Sequence, residues 1–297
     1  MAASIESVKA IPTRRRPVRR YSQWIAGLIA LFVVAIFIKA FVTSSSVEWS
    51  LIGRYMFNHL ILSGVGVTVE VTIIAEVGAI ILSIISALFR LSSNPVLRAI
   101  STAYVGLFRA IPLLVILIFI FNLAFLFPRL GIGIPFTGIN VSGSTNHLIS
   151  GFTAAIIGLS LAEGAYVSEI IRAGILSVDQ GQSDAGAAIG LRRSTVMRKI
   201  ILPQAMRLII PPAANNFIGL LKATALISVI AGSDLLTEAQ VIYTQNFQVI
   251  SLLIVAAIWY LVLVGLATLG QQYLERKFSQ QAIGGRRRVI ARAEEAL

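Results

Sequence analysis

Six long apolar runs constrain the fold of this 297-residue chain more than any other feature. A helix needs about 20 largely apolar residues to cross the hydrocarbon core of a bilayer, and each run is about that long or longer. Composition agrees, because 13% of the residues are charged, against about 25% in a typical soluble domain. The sequence therefore predicts an all-α membrane protein with six transmembrane helices. The predicted spans are 24–42, 62–89, 100–127, 152–176, 206–230 and 249–269.

Positive charge marks one side of this arrangement. The chain has 25 Lys and Arg against 13 Asp and Glu, and most of the cations fall in two basic tails, 1–23 and 276–297, and in the loops after the second and fourth spans. The positive-inside rule then places both termini in the cytoplasm. The tails are interpreted as topology determinants that contact lipid, with no role in nucleic-acid binding. The run 24–42 is interpreted as a retained first transmembrane helix, because it is longer than a signal peptide core.

Several kinds of chemistry have no support in the sequence. There are no cysteines and only two histidines, His59 and His147, so we expect no metal site. The phosphate-binding pattern G-x-x-x-x-G-K-[ST] is absent, and so is H-E-x-x-H. We expect a transport protein with no catalytic residues and no cofactor in this chain.

The loop at about 178–205, between the fourth and fifth spans, is the most informative connection. Its small residues predict a short helix over 183–189 that ends at Gly190. Ser194 can then cap a second short helix, which Pro203 would end or kink. Such a low-profile helix could enter a groove of another protein, although an ordinary interfacial loop fits the same residues.

This loop resembles the cytoplasmic docking loop of ABC importer permeases. The family pattern has Glu-Ala-Ala, then a glycine four residues on, then I-x-L-P. Asp184, Ala185 and Gly186 occupy the first three places, and Ile200 to Pro203 form the ending. The resemblance implies a coupling helix whose docking residues are Asp184, Ala185, Gly186, Gly190, Leu191 and Pro203.

Three further motifs resemble the polar amino acid branch of the same family. They lie at 108–114, 164–172 and 210–229, and the resemblance as a whole covers about 55–275. The chain departs from the branch at four positions, namely Ala110, Ile111, Ala223 and Ala225.

Membership would imply the transmembrane subunit of an ATP-driven importer in the bacterial inner membrane. Its partners would be a pair of ATPase subunits that bind ATP and Mg, an external solute-binding protein, and a second permease subunit, either an identical copy or a paralogue. The expected cargo is a polar amino acid.

Charged residues inside the spans are candidates for the solute path, because such a residue at the bilayer centre costs about 2.5–3.5 kcal/mol on insertion scales. Glu163 lies near the middle of the fourth span with no charged neighbour one turn away. It is predicted to line the translocation cavity and favours a cationic substrate, although a protonated or subunit-interface carboxyl fits equally well. Glu70 and Glu76 in the second span are further candidates, without a clear counterpart in the family.

The fifth span adds polar groups beside Pro211 and Pro212, which are expected to break or kink the helix. Lys222 could bind the carboxylate of an amino acid, or could form a structural bridge with a glutamate. In the fourth span, the three-residue spacing of Glu169 and Arg172 predicts a local ion pair. The path candidates in the fifth span are Asn215, Asn216, Lys222 and Thr224.

A different class of function is also compatible with these charges. In an ion-coupled secondary transporter of a small polar solute, Glu70, Glu76 and Glu163 would relay protons or bind sodium. Dependence of uptake on an ion gradient, without an ATPase subunit, would identify this alternative.

Overall fold

The computed structural model describes residues 21–44, 47–133 and 140–294, with the backbone alone at 22–23, 132–133, 140–141 and 279–294. The predicted basic N-terminal tail therefore lies outside the described residues up to residue 20. By its contacts the chain divides into two units, 1–47 and 48–297.

The described part of the first unit is one helix, α1 (Tyr21–Val42). Its apolar stretch, Trp24–Val42, has the bounds predicted for the first span. Thr43 ends the helix by donating from its hydroxyl to the Lys39 carbonyl at 2.8 Å. The same carbonyl also accepts from the backbone amide of Thr43 at 2.9 Å.

The second unit is helical with one small hairpin. Its first half contains α2 (Trp49–Tyr55), α3 (His59–Leu91), α4 (Pro95–Ala110), α5 (Leu113–Phe121), a 3-10 turn (Leu123–Phe125), β1 (Arg129–Gly133), β2 (Asn140–Ser144) and α6 (Thr145–Leu148). Its second half contains α7 (Gly151–Leu176), α8 (Gln180–Ala188), α9 (Arg193–Val196), a π-helical turn (Met197–Ile201), α10 (Leu202–Ala223), a 3-10 helix (Thr224–Ile230), α11 (Leu235–Asn246) and α12 (Val249–Glu294). The strands pair antiparallel, with Arg129 opposite Ser144, and the all-α prediction missed this hairpin.

Five helical segments of the described residues are long and apolar enough to cross a membrane, and a bent pair would make a sixth. That pair is α4 and α5, which meet at 103° where a single third span was predicted. Ile111 is extended and Pro112 precedes α5. Proline disfavours the helical conformation in the residue before it, which favours a break at this position.

The predicted break at Pro211 and Pro212 is absent, because α10 continues through both residues. The helix is held against α7 at the preceding turn, where a Cβ on Gly174 would lie 2.4 Å from Cγ1 of Ile209. Pro203 also does not end a helix. It stands just after the π-helical turn, and the helical run continues through it into α10. Ser194 is not a cap either, since α9 begins after Arg192.

The core lies where α3, α5, α7 and α10 meet, and small residues allow the close approach of α3 and α7. A Cβ on Gly78 would lie 2.5 Å from Oγ of Ser160, and that hydroxyl donates to the Ala75 carbonyl at 2.9 Å. Small residues and hydroxyl groups at such contacts are typical of helices that pack within membranes. The fully buried core side chains include Val71, Leu117, Leu159 and Ile227.

The last helix is longer than its predicted span. α12 continues to Glu294, through most of the region expected to be a basic C-terminal tail. Its N-terminal part contacts the start of the unit, because Trp259 donates from its indole nitrogen to the Met56 carbonyl at 2.8 Å.

Candidate functional site

A cavity of about 250 Å³ opens beside the break between α4 and α5. The break exposes a wall that a continuous helix would cover, while α7 and α10 provide the remaining walls. Residues from all four helices line it, including Phe108, Arg109, Glu163, Tyr166, Gly219 and Ala223.

Glu163 lies midway along α7, on the wall of this cavity. Its Oε1 atom is buried and has no hydrogen-bond partner among the described residues. The side chain of Asn216, from α10, lies beside its carboxyl group, and Glu76, from α3, is close enough to interact with it electrostatically. Oε2 of Glu76 likewise has no partner among the described residues. The structure thus brings three of the predicted path residues together, with acceptor atoms available to a hydrogen-bond donor or a cation.

The same cavity is also lined by a cation that the sequence analysis did not assign. The guanidinium carbon of Arg109 lies 5.3 Å from the ring centroid of Tyr166, one helical turn beyond Glu163 on α7. Tyr104 holds this region in place, because its hydroxyl donates to the Leu161 carbonyl at 2.8 Å. The available sequence signal was an arginine within an apolar span, just before Ile111 and Pro112.

The other path candidates lie elsewhere. Glu70, Asn215 and Lys222 are exposed on the surface of the unit, and Thr224 is buried with its hydroxyl donating to the Leu221 carbonyl. Asn215 and Lys222 flank the cavity-lining Gly219 on one face of α10 but do not line the cavity themselves. Glu70 does not join Glu76 and Glu163, so the described residues do not assemble the three-carboxylate relay of the ion-coupled alternative.

A second buried polar cluster lies at the start of α11. Asp234 is fully buried and accepts hydrogen bonds from the backbone of Leu236 at 3.0 Å and of Thr237 at 3.2 Å. Burial raises the pKa of Asp234, and these hydrogen bonds offset part of that effect. Burial and the neighbouring Asp234 charge also raise the pKa of Glu238. The hydroxyl of Tyr260 lies 3.4 Å from Oδ2 of Asp234, so this cluster fixes α11 against α12.

The predicted ion pair near the end of α7 is present in the structure with an additional member. Nε of Arg172 lies 2.8 Å from Oε2 of Glu169, and Nη2 of Arg90, from α3, lies 3.3 Å from Oε1. The carboxylate is half-buried and bridges the ends of two helices, which indicates a structural role.

The predicted docking residues lie on α8 and its C-terminal turn. Asp184 and Ala185 are exposed, while Gly186 is buried against Val196 of α9. Gly190 has φ of +76°, and the backbone amides of Gly190 and Leu191 donate to the Ala187 and Gly186 carbonyls, both at 3.0 Å. This is a Schellman termination, which requires a residue in the left-handed conformation.

Comparisons with known proteins identify the class. Residues 79–280 match the family of binding-protein-dependent transport system inner membrane components, and the chain belongs to that family. It is therefore a permease component of an amino acid ABC importer, a multi-pass membrane protein that acts in transport.

Two curated relatives agree. An arginine transport system permease protein of Corynebacterium glutamicum is 35% identical over 96% of this chain and 88% of its own length. An L-cystine transport system permease protein of Bacillus subtilis is 36% identical over 82% of this chain and 96% of its own. A solved structure, described as an amino acid ABC transporter with histidines, aligns with a TM-score of 0.66 at 31% identity, covering 78% of this chain and 99% of the other.

Proposed function

We propose that this chain is the transmembrane subunit of an ATP-driven importer that moves a cationic amino acid, delivered by an external binding protein, across the bacterial inner membrane. The family and the relatives support amino acid transport. The observation that carries the cationic specificity is a carboxylate oxygen of Glu163, on a cavity wall midway along a membrane helix, that no described residue pairs with.

The physical reason is the cost of leaving Oε1 of Glu163 without a hydrogen-bond partner among the described residues. A buried acceptor that lacks a hydrogen bond costs about 1–3 kcal/mol, and more if it is charged. A substrate with a cationic side chain would supply both the donor and the counter-charge while it occupies the cavity. Asn216 would orient the carboxylate, and Glu76 would add negative potential to it.

The proposed docking surface for the ATPase pair is the exposed side of α8. It carries Asp184 and Ala185, and Ile189 projects beyond them with 75% of its surface exposed. In this proposal both termini are cytoplasmic and α8 is the coupling helix. ATP and Mg are bound by the partner subunits, and this chain performs no covalent chemistry.

The proposed mechanism runs from α8 to the cavity. A loaded binding protein docks on the outer side, and ATP binding closes the ATPase pair. Because Val196 packs against Gly186 and the chain continues from α9 through the π-helical turn into α10, a displacement of α8 would move the α10 wall of the cavity. Hydrolysis of ATP would then reset the pore. The exposed Asn215 and Lys222 would face the second permease subunit.

Reconstitution tests this proposal. The permease and its ATPase, in proteoliposomes with the binding protein, should import a cationic amino acid only with ATP. Glu163→Gln should raise the apparent KM for that substrate by roughly 10-fold or more, the equivalent of about 1.5–3 kcal/mol for a hydrogen bond to a charged group. Glu275→Gln, the same change elsewhere in the membrane domain, is the matched control. Unchanged affinity and selectivity in Glu163→Gln would refute the assignment, and uptake without ATP would refute the class of mechanism.

A further inference from the structure

Arg109 is an exposed cation beside the break between α4 and α5, and no carboxylate matches its charge in the described structure. It lies in the last turn of α4, and its guanidinium stands over the ring of Tyr166, which is on the same helix as Glu163 and one turn away. Among the described residues, no Asp or Glu lies within salt-bridge distance of it. A charge within an apolar span usually pairs, or faces a water-filled cavity. Arg109 lines the cavity, so a ligand could provide its counter-charge.

The way Arg109 is held leaves its hydrogen-bonding edge available. The guanidinium carbon lies 5.3 Å from the ring centroid, a cation–π contact that uses none of the five N–H donors in the guanidinium plane. That edge matches the two oxygens of a carboxylate, which it binds through two parallel hydrogen bonds. The phenol ring of Tyr166 thus restricts the guanidinium without consuming a donor.

The cavity is therefore lined by two side chains of opposite charge that do not form a salt bridge with each other. Glu163 offers an unpartnered carboxylate oxygen, and Arg109 offers a guanidinium edge. The volume of about 250 Å³ corresponds to roughly eight waters at about 30 Å³ each, which is room for a small solute and too little for a peptide. A free amino acid with a cationic side chain carries the complementary charges at its two ends.

We propose that Arg109, positioned by Tyr166, binds the α-carboxylate of the substrate while Glu163 binds its side-chain cation. The proposal rests on the proposed function and deepens it, because it requires a zwitterionic α-amino acid with an additional cationic group. It also reassigns the carboxylate contact from Lys222, which does not line the cavity.

Binding to the permease–ATPase complex in nanodiscs, without the binding protein, tests this directly. Radiolabelled L-arginine is displaced by unlabelled L-arginine, by agmatine, which lacks the carboxylate, or by L-citrulline, which lacks the side-chain charge. The wild-type complex should prefer arginine to both analogues. Arg109→Gln should weaken the binding of arginine by on the order of 10–100-fold and leave the binding of agmatine unchanged. It should keep the preference for arginine over citrulline. Glu163→Gln should weaken the binding of arginine and of agmatine, leave citrulline unchanged, and keep the preference for arginine over agmatine.

Further variants separate recognition from assembly. Arg109→Lys keeps the charge without the planar fork and should lose part of the preference for arginine over agmatine. Tyr166→Leu removes the aromatic ring that contacts Arg109 and should weaken the binding of arginine several-fold, whereas Tyr166→Phe should not. If Arg109 instead pairs with the second permease subunit, its variants will disrupt the complex while any intact complex keeps the wild-type arginine-to-agmatine ratio. If the ratio of arginine affinity to agmatine affinity is unchanged in Arg109→Gln or Arg109→Lys, this inference is overturned. The proposed function would still be supported if Glu163→Gln no longer discriminates arginine from citrulline.

Discussion

The contact between Gly186 and Val196 yields the sharpest prediction about the docking region. The family pattern has alanine at position 186, but a Cβ there would lie 2.6 Å from Cγ2 of Val196. Carbon atoms in good contact are about 3.5–4.0 Å apart, so the added methyl would overlap the valine by roughly 1 Å. Val196 is only 4% exposed, and a β-branched side chain in a helix has one strongly preferred rotamer, so it cannot easily turn away.

The change in stability caused by Gly186→Ala follows from two opposing effects. Replacing glycine by alanine within a helix stabilises it by about 1 kcal/mol. Overpacking a buried contact typically costs about 1–3 kcal/mol. Gly186→Ala alone should therefore be destabilising by up to about 2 kcal/mol. In the background of Val196→Ala the overlap disappears and only the helix-propensity gain remains. The same substitution should then be stabilising by about 1 kcal/mol, so its sign should reverse.

Thermal unfolding of the purified permease–ATPase complex would measure all four members of this double-mutant cycle. Gly190→Ala is the matched control, because it is penalised through its positive φ and an added Cβ there would contact nothing within 4 Å. Its effect should be the same whether valine or alanine occupies position 196. The reasoning fails if Gly186→Ala raises the melting temperature with valine at position 196, or if its effect is additive with Val196→Ala.

The polar cluster at the start of α11 yields two further predictions. Because the pKa of Glu238 is raised in the folded protein, its stabilising contribution is present below its ordinary pKa of about 4.3 and is lost as the pH rises through the raised value. The melting temperature of Glu238→Gln relative to wild type should therefore increase with pH in a thermal titration, and a flat difference would contradict the effect of burial. Asp234→Ala removes the cap of α11 and should lower stability by roughly 1–3 kcal/mol in the same assay. Asp234→Asn, which keeps one acceptor, should lose less, and an equal loss in both variants would exclude capping as the cause.

The sequence predicted the helical segments well because hydrophobic length is a direct requirement of the bilayer. The fourth span, predicted as 152–176, is α7 within one residue. Gly190 also ended its helix as expected, since a left-handed termination favours glycine and depends on few distant contacts. These features could be predicted because their cause lies within a few residues of chain.

The bend at Pro112 and the continuity of α10 through Pro211 and Pro212 were not predictable in the same way. Both segments place proline within an apolar run, and only the neighbours decide the result. α10 packs closely against α7 and stays helical, whereas α4 and α5 diverge around the cavity.

In the candidate site, too, features with a local cause were predictable and features that depend on neighbouring helices were not. Helical spacing correctly placed Asn215 and Lys222 on one face, but spacing cannot tell which neighbour that face meets. Their face is exposed, and Asn216, the adjacent residue, points to Glu163 instead. Arg109 was overlooked because its role depends on the bend that follows it, where α4 gives way to α5.

The π-helical turn at Met197–Ile201 fixes the angular setting of everything beyond it. An α-helix advances by about 100° for each residue, and a π turn accommodates one residue more than an α turn. The extra residue therefore rotates α10 by about that angle relative to a continuous α-helix from α9. Which residues of α10 line the cavity is thus decided about twenty residues earlier in the chain. Deletion of a single residue in this turn would present a different face of α10 to Glu163 while leaving every residue that lines the cavity in the sequence.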